Sequence, residues 1–208
     1  MNRLRRVRGS GQDAFTLIEL LVTMGLFSII LAVFGAGVDV MFKDVRRSQG
    51  QSDNLDGSRR VVQLMDKQVR YANAINPPGA GAVAGATYVE WRQGLDGKRQ
   101  TCVQWRSSPD GTLAYRTWKP ILATGQTLET TPFVVRADGV TPPASGAVFA
   151  LPTAVELMSL TKQKLTVAFR STHGKPALTT DTRVSLTALN TLFATPPTSL
   201  VCQEVPRA

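Results

Sequence analysis

Between Glu19 and Asp39 the chain runs through nineteen residues, Leu20 to Val38, without a single charge. No other feature restricts the fold as strongly. At about 1.5 Å per residue such a run makes a helix of roughly 28 Å, close to the hydrocarbon thickness of a bilayer. A buried helix of a soluble core is the alternative, but nineteen chargeless residues are long for one. The first fourteen residues carry Arg3, Arg5, Arg6 and Arg8 against Asp13, a net +3. Gly9, Ser10 and Gly11 disfavour helix there. On the far side, Asp39 to Arg47 holds Lys43, Arg46 and Arg47 against Asp39 and Asp44, a net +1. The excess of basic residues before the span places the leader in the cytoplasm and the C-terminal part outside.

The rest of the composition fits a membrane-linked structural or binding protein. The 208 residues suit one or two small domains, and 43% hydrophobic content excludes a disordered chain. A mean hydropathy of -0.04 conceals the apolar run. One histidine and two cysteines leave little material for a His/Cys metal site. No Gly-rich phosphate loop, nucleophile elbow or calcium loop is present. His173, in Ser-Thr-His-Gly-Lys, reads as an exposed residue of a turn between strands.

Glu19 is out of place. A carboxylate at the edge of a membrane segment costs several kcal/mol unless something neutralises it. A position in the headgroup zone is the simple reading, yet Phe15-Thr16-Leu17-Ile18 would then be an odd apolar lead-in. Ala14-Phe15-Thr16-Leu17-Ile18-Glu19-Leu20-Leu21-Val22 resembles the processing site of type IV prepilins and type II secretion pseudopilins. The resemblance implies a prepilin peptidase, an inner-membrane aspartic protease that cuts between Ala14 and Phe15 and methylates the new amine of Phe15. Ala14 departs from the glycine usual in that family. The resemblance also implies other pilins or pseudopilins and an inner-membrane assembly platform as partners, no cofactor and no catalysis. Glu19 becomes the assembly residue: in a medium of low dielectric it would pair with the α-amine of a neighbouring subunit, each offsetting the other's desolvation. A general secretory signal cut near Gly35-Ala36-Gly37 competes, but a nineteen-residue core headed by Glu19 exceeds the usual apolar region of such signals.

No proline occurs before Pro77, and Asn76-Pro77-Pro78-Gly79 is a strong helix stop. The sequence therefore predicts one helix from Phe15 to about Ile75. Val62, Met65, Val69, Ala72 and Ile75 recur at helical steps and should face a sheet, with Arg59, Arg60, Lys67 and Arg70 outward. Gly50 and the stretch Ser52 to Ser58 disfavour helix, so a kink or break near 50–58 is expected. Gly25, Gly35 and Gly37 loosen the apolar half or let helices pack closely.

From about residue 80 the period becomes two. Candidate strands are Thr87–Gln93, Gln100–Ser107, Thr112–Trp118, Phe133–Arg136, Ala147–Ala150, Lys164–Ser171 and Thr182–Ala188. Asp96-Gly97, Asp110-Gly111 and Asp138-Gly139 mark turns. The fold class is α+β, a long N-terminal helix packed on an antiparallel β meander. This layout is similar to the J-type pseudopilins and W-type minor pilins. The segments are then 1–14 basic leader, 15–38 membrane and assembly helix, 39–76 amphipathic continuation, and 77–208 β domain.

Cys102 and Cys202, placed outside the cytoplasm, meet an oxidising space, and a bridge between them is the expected state; two free thiols are the alternative. Arg92, Lys98, Arg99, Arg106, Arg116 and Lys119 lie among Trp91, Trp105, Tyr115 and Trp118. Basic residues interleaved with aromatics can bind nucleic acid strands. Alternation of a solvated face with a core face gives the same pattern and is the preferred reading.

Overall fold

The computed structural model describes residues 16–94, 100–121, 127–173 and 178–207, without the side chains at 50, 51, 53–55, 173 and 178. The chain forms two compact units, Met1–Arg46 and Arg47–Ala208. The first contains the start of α1 (Leu17–Arg70). Leu17–Gln49 is long and apolar enough to cross a membrane, and its most apolar eighteen-residue window has a mean hydropathy of 2.5. Its large apolar side chains are exposed, Leu17, Phe27, Ile30 and Phe34 among them. Its hydroxyls are satisfied within the helix: Thr23 Oγ1 donates to the Leu20 carbonyl and Ser28 Oγ to that of Met24. That local bonding suits a helix in a medium with no water to spare.

In the second unit the helix buries Ser58, Val61, Met65 and Val69, at steps of three and four. The stripe therefore runs through Val61 rather than Val62. Two adjacent valines made the phase ambiguous, and the polar Ser58 on the buried face hid it. Ser58 Oγ lies 3.2 Å from Ser171 Oγ, so the buried hydroxyl is satisfied. Helix continues across 50–58, with no break there. Arg59, Arg60, Lys67 and Arg70 are exposed as expected.

The helix ends at Arg70, five residues before the expected stop. Ala72–Ile75 is β1, paired antiparallel with β2 (Thr87–Gln93). Ala72 and Ile75 are buried in either conformation; the edge of β2 decides for strand. β3 (Thr101–Ser107), β4 (Leu113–Trp118) and β5 (Val134–Ala137) complete a five-stranded antiparallel sheet in the order β1-β2-β3-β4-β5. The turn before β4 uses Gly111 at φ 84°, where glycine is unstrained. Asp110 Oδ1 accepts from Thr112 N at 3.0 Å and Thr112 Oγ1 at 2.7 Å. These bonds hold the Asp110 carboxyl below the ordinary range. Gly139, at φ 62°, serves the Asp138-Gly139 turn. Asp96-Gly97 lies outside the described residues.

The expected single meander is in fact two sheets. The second is built from β6 (Val140–Thr141), β7 (Phe149–Ala150), β8 (Lys164–His173) and β9 (Leu178–Thr187). β8 and β9 form a ten-pair hairpin ladder, longer than either strand expected from the sequence. His173 thus ends β8 rather than sitting in the turn. A short helix, α2 (Ala154–Leu157), carries a Thr153–Glu156 capping box. One core joins helix and sheets: Val61, Met65 and Val69 pack with Trp91, Trp105, Phe149, Leu165, Val167 and Phe169.

Candidate assembly segment and the fastened C-terminal tail

Ala14 and Phe15 lie outside the described residues. The described residues begin at Thr16, which caps α1. Glu19 N donates to Thr16 O at 3.1 Å and to Thr16 Oγ1 at 3.3 Å, and Leu20 N donates to Thr16 O at 3.2 Å. Thr16-Leu17-Ile18-Glu19 is therefore an N-cap with an acid at the third helical position. That pattern is legible in the sequence as Thr-x-x-Glu and was hidden by the reading of the same residues as part of a longer apolar segment. Glu19 is exposed and sits in the first turn, where the positive end of the helix dipole favours a carboxylate. Part of the cost of placing Glu19 at the edge of the span is thus offset by the helix itself.

The C-terminal tail forms the second constellation. Cys102 of β3 and Cys202 are joined by a disulfide across 100 residues of sequence. Trp118, Val205 and the bridge form a small buried cluster. Asn76, just after β1, grips the tail from both sides of its amide: Nδ2 donates to Val201 O at 2.7 Å and Oδ1 accepts from Val201 N at 3.0 Å. Six residues on, Arg207 reaches the buried Glu90 of β2. Its Nε donates to Glu90 Oε1 at 2.8 Å, and its terminal nitrogen donates to Glu90 Oε2 at 2.7 Å and Pro77 O at 2.8 Å. Gln104 Nε2 adds a bond to Glu90 Oε1 at 3.0 Å, and Arg116 Nε donates to Gln104 Oε1 at 2.7 Å. Burial lowers the Arg116 pKa. Gln163 ties the tail a second time, accepting from Ile75 N and donating to Thr195 O. A Cβ on Gly81 would overlap the Arg207 backbone, so the residue there must be small.

Sequence reasoning found the cysteines but missed Asn76, Glu90, Gln104, Gln163 and Arg207. Single polar residues with partners tens to more than a hundred positions away carry no periodic signal.

The basic and aromatic residues do not make a stacking platform. Trp91, Trp105 and Trp118 are all buried. Trp105 stacks on Tyr115 with centroids 5.0 Å apart, and its indole donates to Gln68 Oε1. Arg106 and Arg116 instead lie over Phe133, 4.2 and 4.5 Å from its centroid. Arg92 bonds to Asn73. The sequence reading of a solvated face opposite a core face does not hold: Arg92, Arg106 and Arg116 share their face with the buried Tyr88, Glu90, Cys102, Gln104 and Trp118, part of which the C-terminal tail covers. Lys98 and Arg99 lie outside the described residues. Among the described residues no group of three His, Cys, Asp or Glu side chains could hold a metal ion.

Residues 9–35 match the family model described as the prokaryotic N-terminal methylation motif. No curated protein and no solved structure matches the chain. The motif implies processing by a prepilin peptidase and assembly with other pilins. It ends inside α1 and includes the Thr16 cap and Glu19. Because the match falls where the apolar helix starts, with an antiparallel β domain following in the same chain, the protein is type IV prepilin-like.

Proposed function

We propose that the chain is a minor pilin or pseudopilin, a structural subunit of a type IV pilus or a type II secretion pseudopilus. The methylation motif at residues 9–35, set at the head of an exposed apolar helix, carries this reading. The precursor sits in the inner membrane with its leader in the cytoplasm and its β domain outside. Prepilin peptidase cuts between Ala14 and Phe15 and methylates Phe15. The freed subunit enters the filament through α1, near the tip, where its β domain meets other minor subunits. Glu19 pairs there with the α-amine of a neighbour, which removes two lone charges from a medium of low dielectric. The intact mass of the membrane-extracted protein tests the proposal. A chain beginning at methylated Phe15 supports it; a chain still beginning at Met1 overturns it.

Ala14 in place of the family's glycine favours a second reading, an uncleaved anchor that tethers a binding domain to the membrane. The same mass measurement separates the two. Glu19→Val tests the assembly role: cleavage should persist while incorporation into filaments is lost. Normal incorporation of Glu19→Val would refute the role given to the carboxylate.

A further inference from the structure

The second sheet ends on an open edge. β9 pairs with β8 over ten residues without a bulge, and among the described residues it pairs with no other strand. The hydrogen bonds of β8 reveal which β9 backbone groups face outward. Ala168 N donates to Val148 O, and Thr172 N donates to Gly139 O. The even-numbered residues of β8 therefore direct their N–H and C=O away from β9. Antiparallel ladders alternate hydrogen-bonded and non-hydrogen-bonded pairs. Ala168↔Arg183 and Arg170↔Asp181 are thus non-hydrogen-bonded pairs. It follows that Thr179, Asp181, Arg183 and Ser185 direct their amides and carbonyls to the open edge. All four residues are exposed. β9 has no proline, no lysine and no bulge, three of the devices that usually keep such an edge from pairing.

The geometry points to a second copy of this chain on that edge, joined β9 to β9, antiparallel, with Thr182 at the two-fold centre. Open groups meet only where odd residues face odd residues. Centring on Asp181 sets Asp181 against itself, and centring on Arg183 sets Arg183 against itself. Centres at Thr180 or Val184 leave both charges without an opposite partner. The centre at Thr182 alone sets Asp181 of each copy against Arg183 of the other. It also sets Thr179 against Ser185. Opposite charges across a strand pair stabilise it and like charges oppose it. Both charged groups are able to take part. Asp181 bonds Arg170 at 2.9 Å, yet its side chain remains 65% exposed. Arg183 forms no ion pair among the described residues. The two charges that would block most registers of this edge allow one.

At a non-hydrogen-bonded centre the two Thr182 Cα atoms would lie about 4.5 Å apart, within disulfide reach. Thr182→Cys in the full-length chain adds one thiol beside the existing Cys102–Cys202 bridge. Mild oxidation in membranes should convert it to a dimer on a non-reducing gel. Met158→Cys, more exposed but off the edge, should stay monomeric. Arg183→Asp in the Thr182→Cys chain should cut the dimer roughly tenfold, because two attractive pairs become repulsive; Arg183→Lys should keep it. Copies bearing Thr179→Cys and Ser185→Cys should link when expressed together and not when expressed alone. A monomeric Thr182→Cys, an undiminished dimer in Arg183→Asp, or linkage only to a different protein would each overturn the self-pairing. None of these results depends on leader processing, so a failure here leaves the reading as a pilin subunit standing.

Discussion

Arg207 is the next-to-last residue of the sequence, where chain ends usually fray, yet the fold should depend on it. Its guanidinium places two charged bonds on Glu90, whose side chain is only 4% exposed, and a third bond on Pro77 O. Arg207→Ala removes all three and leaves a buried carboxylate. Gln104 still donates to it at 3.0 Å, while Asn76 stands at 3.5 Å, too far to replace a charge. Breaking a buried pair by removing one partner costs about 3–5 kcal/mol. The Arg207 side chain is itself 24% exposed, so water entering the vacated space should hold the loss to the lower end, about 3 kcal/mol. Replacing both partners at once, Glu90→Leu with Arg207→Met, removes the charge together with its counter-charge and should cost far less than Arg207→Ala alone. Urea unfolding of the full chain in detergent micelles, followed by the fluorescence of the buried Trp91 and Trp105, reads these differences. A loss under about 0.5 kcal/mol for Arg207→Ala would show that the pair acts as an exposed ion pair, and the claim that it fastens the tail would fail.

Other perturbations probe the same unit. Removing the bridge with Cys102→Ala and Cys202→Ala frees a loop of 100 residues and should cost up to ~4.7 kcal/mol on the chain-entropy account; unfolding midpoints measured with and without reductant check it. Met65→Ala, at the centre of the fully buried helix stripe, should cost about 2–5 kcal/mol, with an unchanged denaturant slope. Acid should weaken the fold. The Asp110 carboxyl is held low by bonds from Thr112, and that of Asp181 by its bonds from Arg170. The unfolded chain takes up protons at these sites first, so their contribution is complete above the ordinary aspartate value, about 3.9, and is lost as pH falls through the lowered folded values. The urea midpoint should be flat from about pH 7 to 5 and fall below about pH 4. Asp110→Asn with Asp181→Asn should flatten that fall, and an identical slope in the double variant would contradict the assignment.

What the sequence reveals depends on whether a residue's partner lies nearby in the chain. Thr87–Gln93 is legible to the residue because β-branched and aromatic side chains alternate with polar ones. Leu20 to Val38 is legible because the absence of charge is a local property. Ala72–Ile75 is not, because Ala72 and Ile75 continue the helical period set by Met65 and Val69, and only the edge of β2 selects strand. The division into two sheets is hidden for the same reason: β6 and β7 are two residues each, and they exist only as partners of β8. The tail has no period at all. Its place is fixed by Asn76, Glu90 and Gln163, each of which meets it from a distant part of the sequence.

The two glutamates Glu19 and Glu90 show how far this reasoning extends to assembly. Both are carboxylates among apolar neighbours. Glu90 is buried, and the chain supplies its cation from 117 residues away. Burial and pairing go together there, as the cost of an isolated buried charge requires. Glu19 is exposed, and among the described residues its support is the Thr16 cap and the first turn of α1. A helix N-terminus contributes about 0.3–1 kcal/mol to an exposed carboxylate, which is enough in water and too little in a medium of low dielectric. If α1 exchanges water or headgroups for the interior of a filament, Glu19 needs what Glu90 already has. A methylated amine at Phe15 of a neighbouring copy would supply that charge without adding a basic side chain to the apolar face.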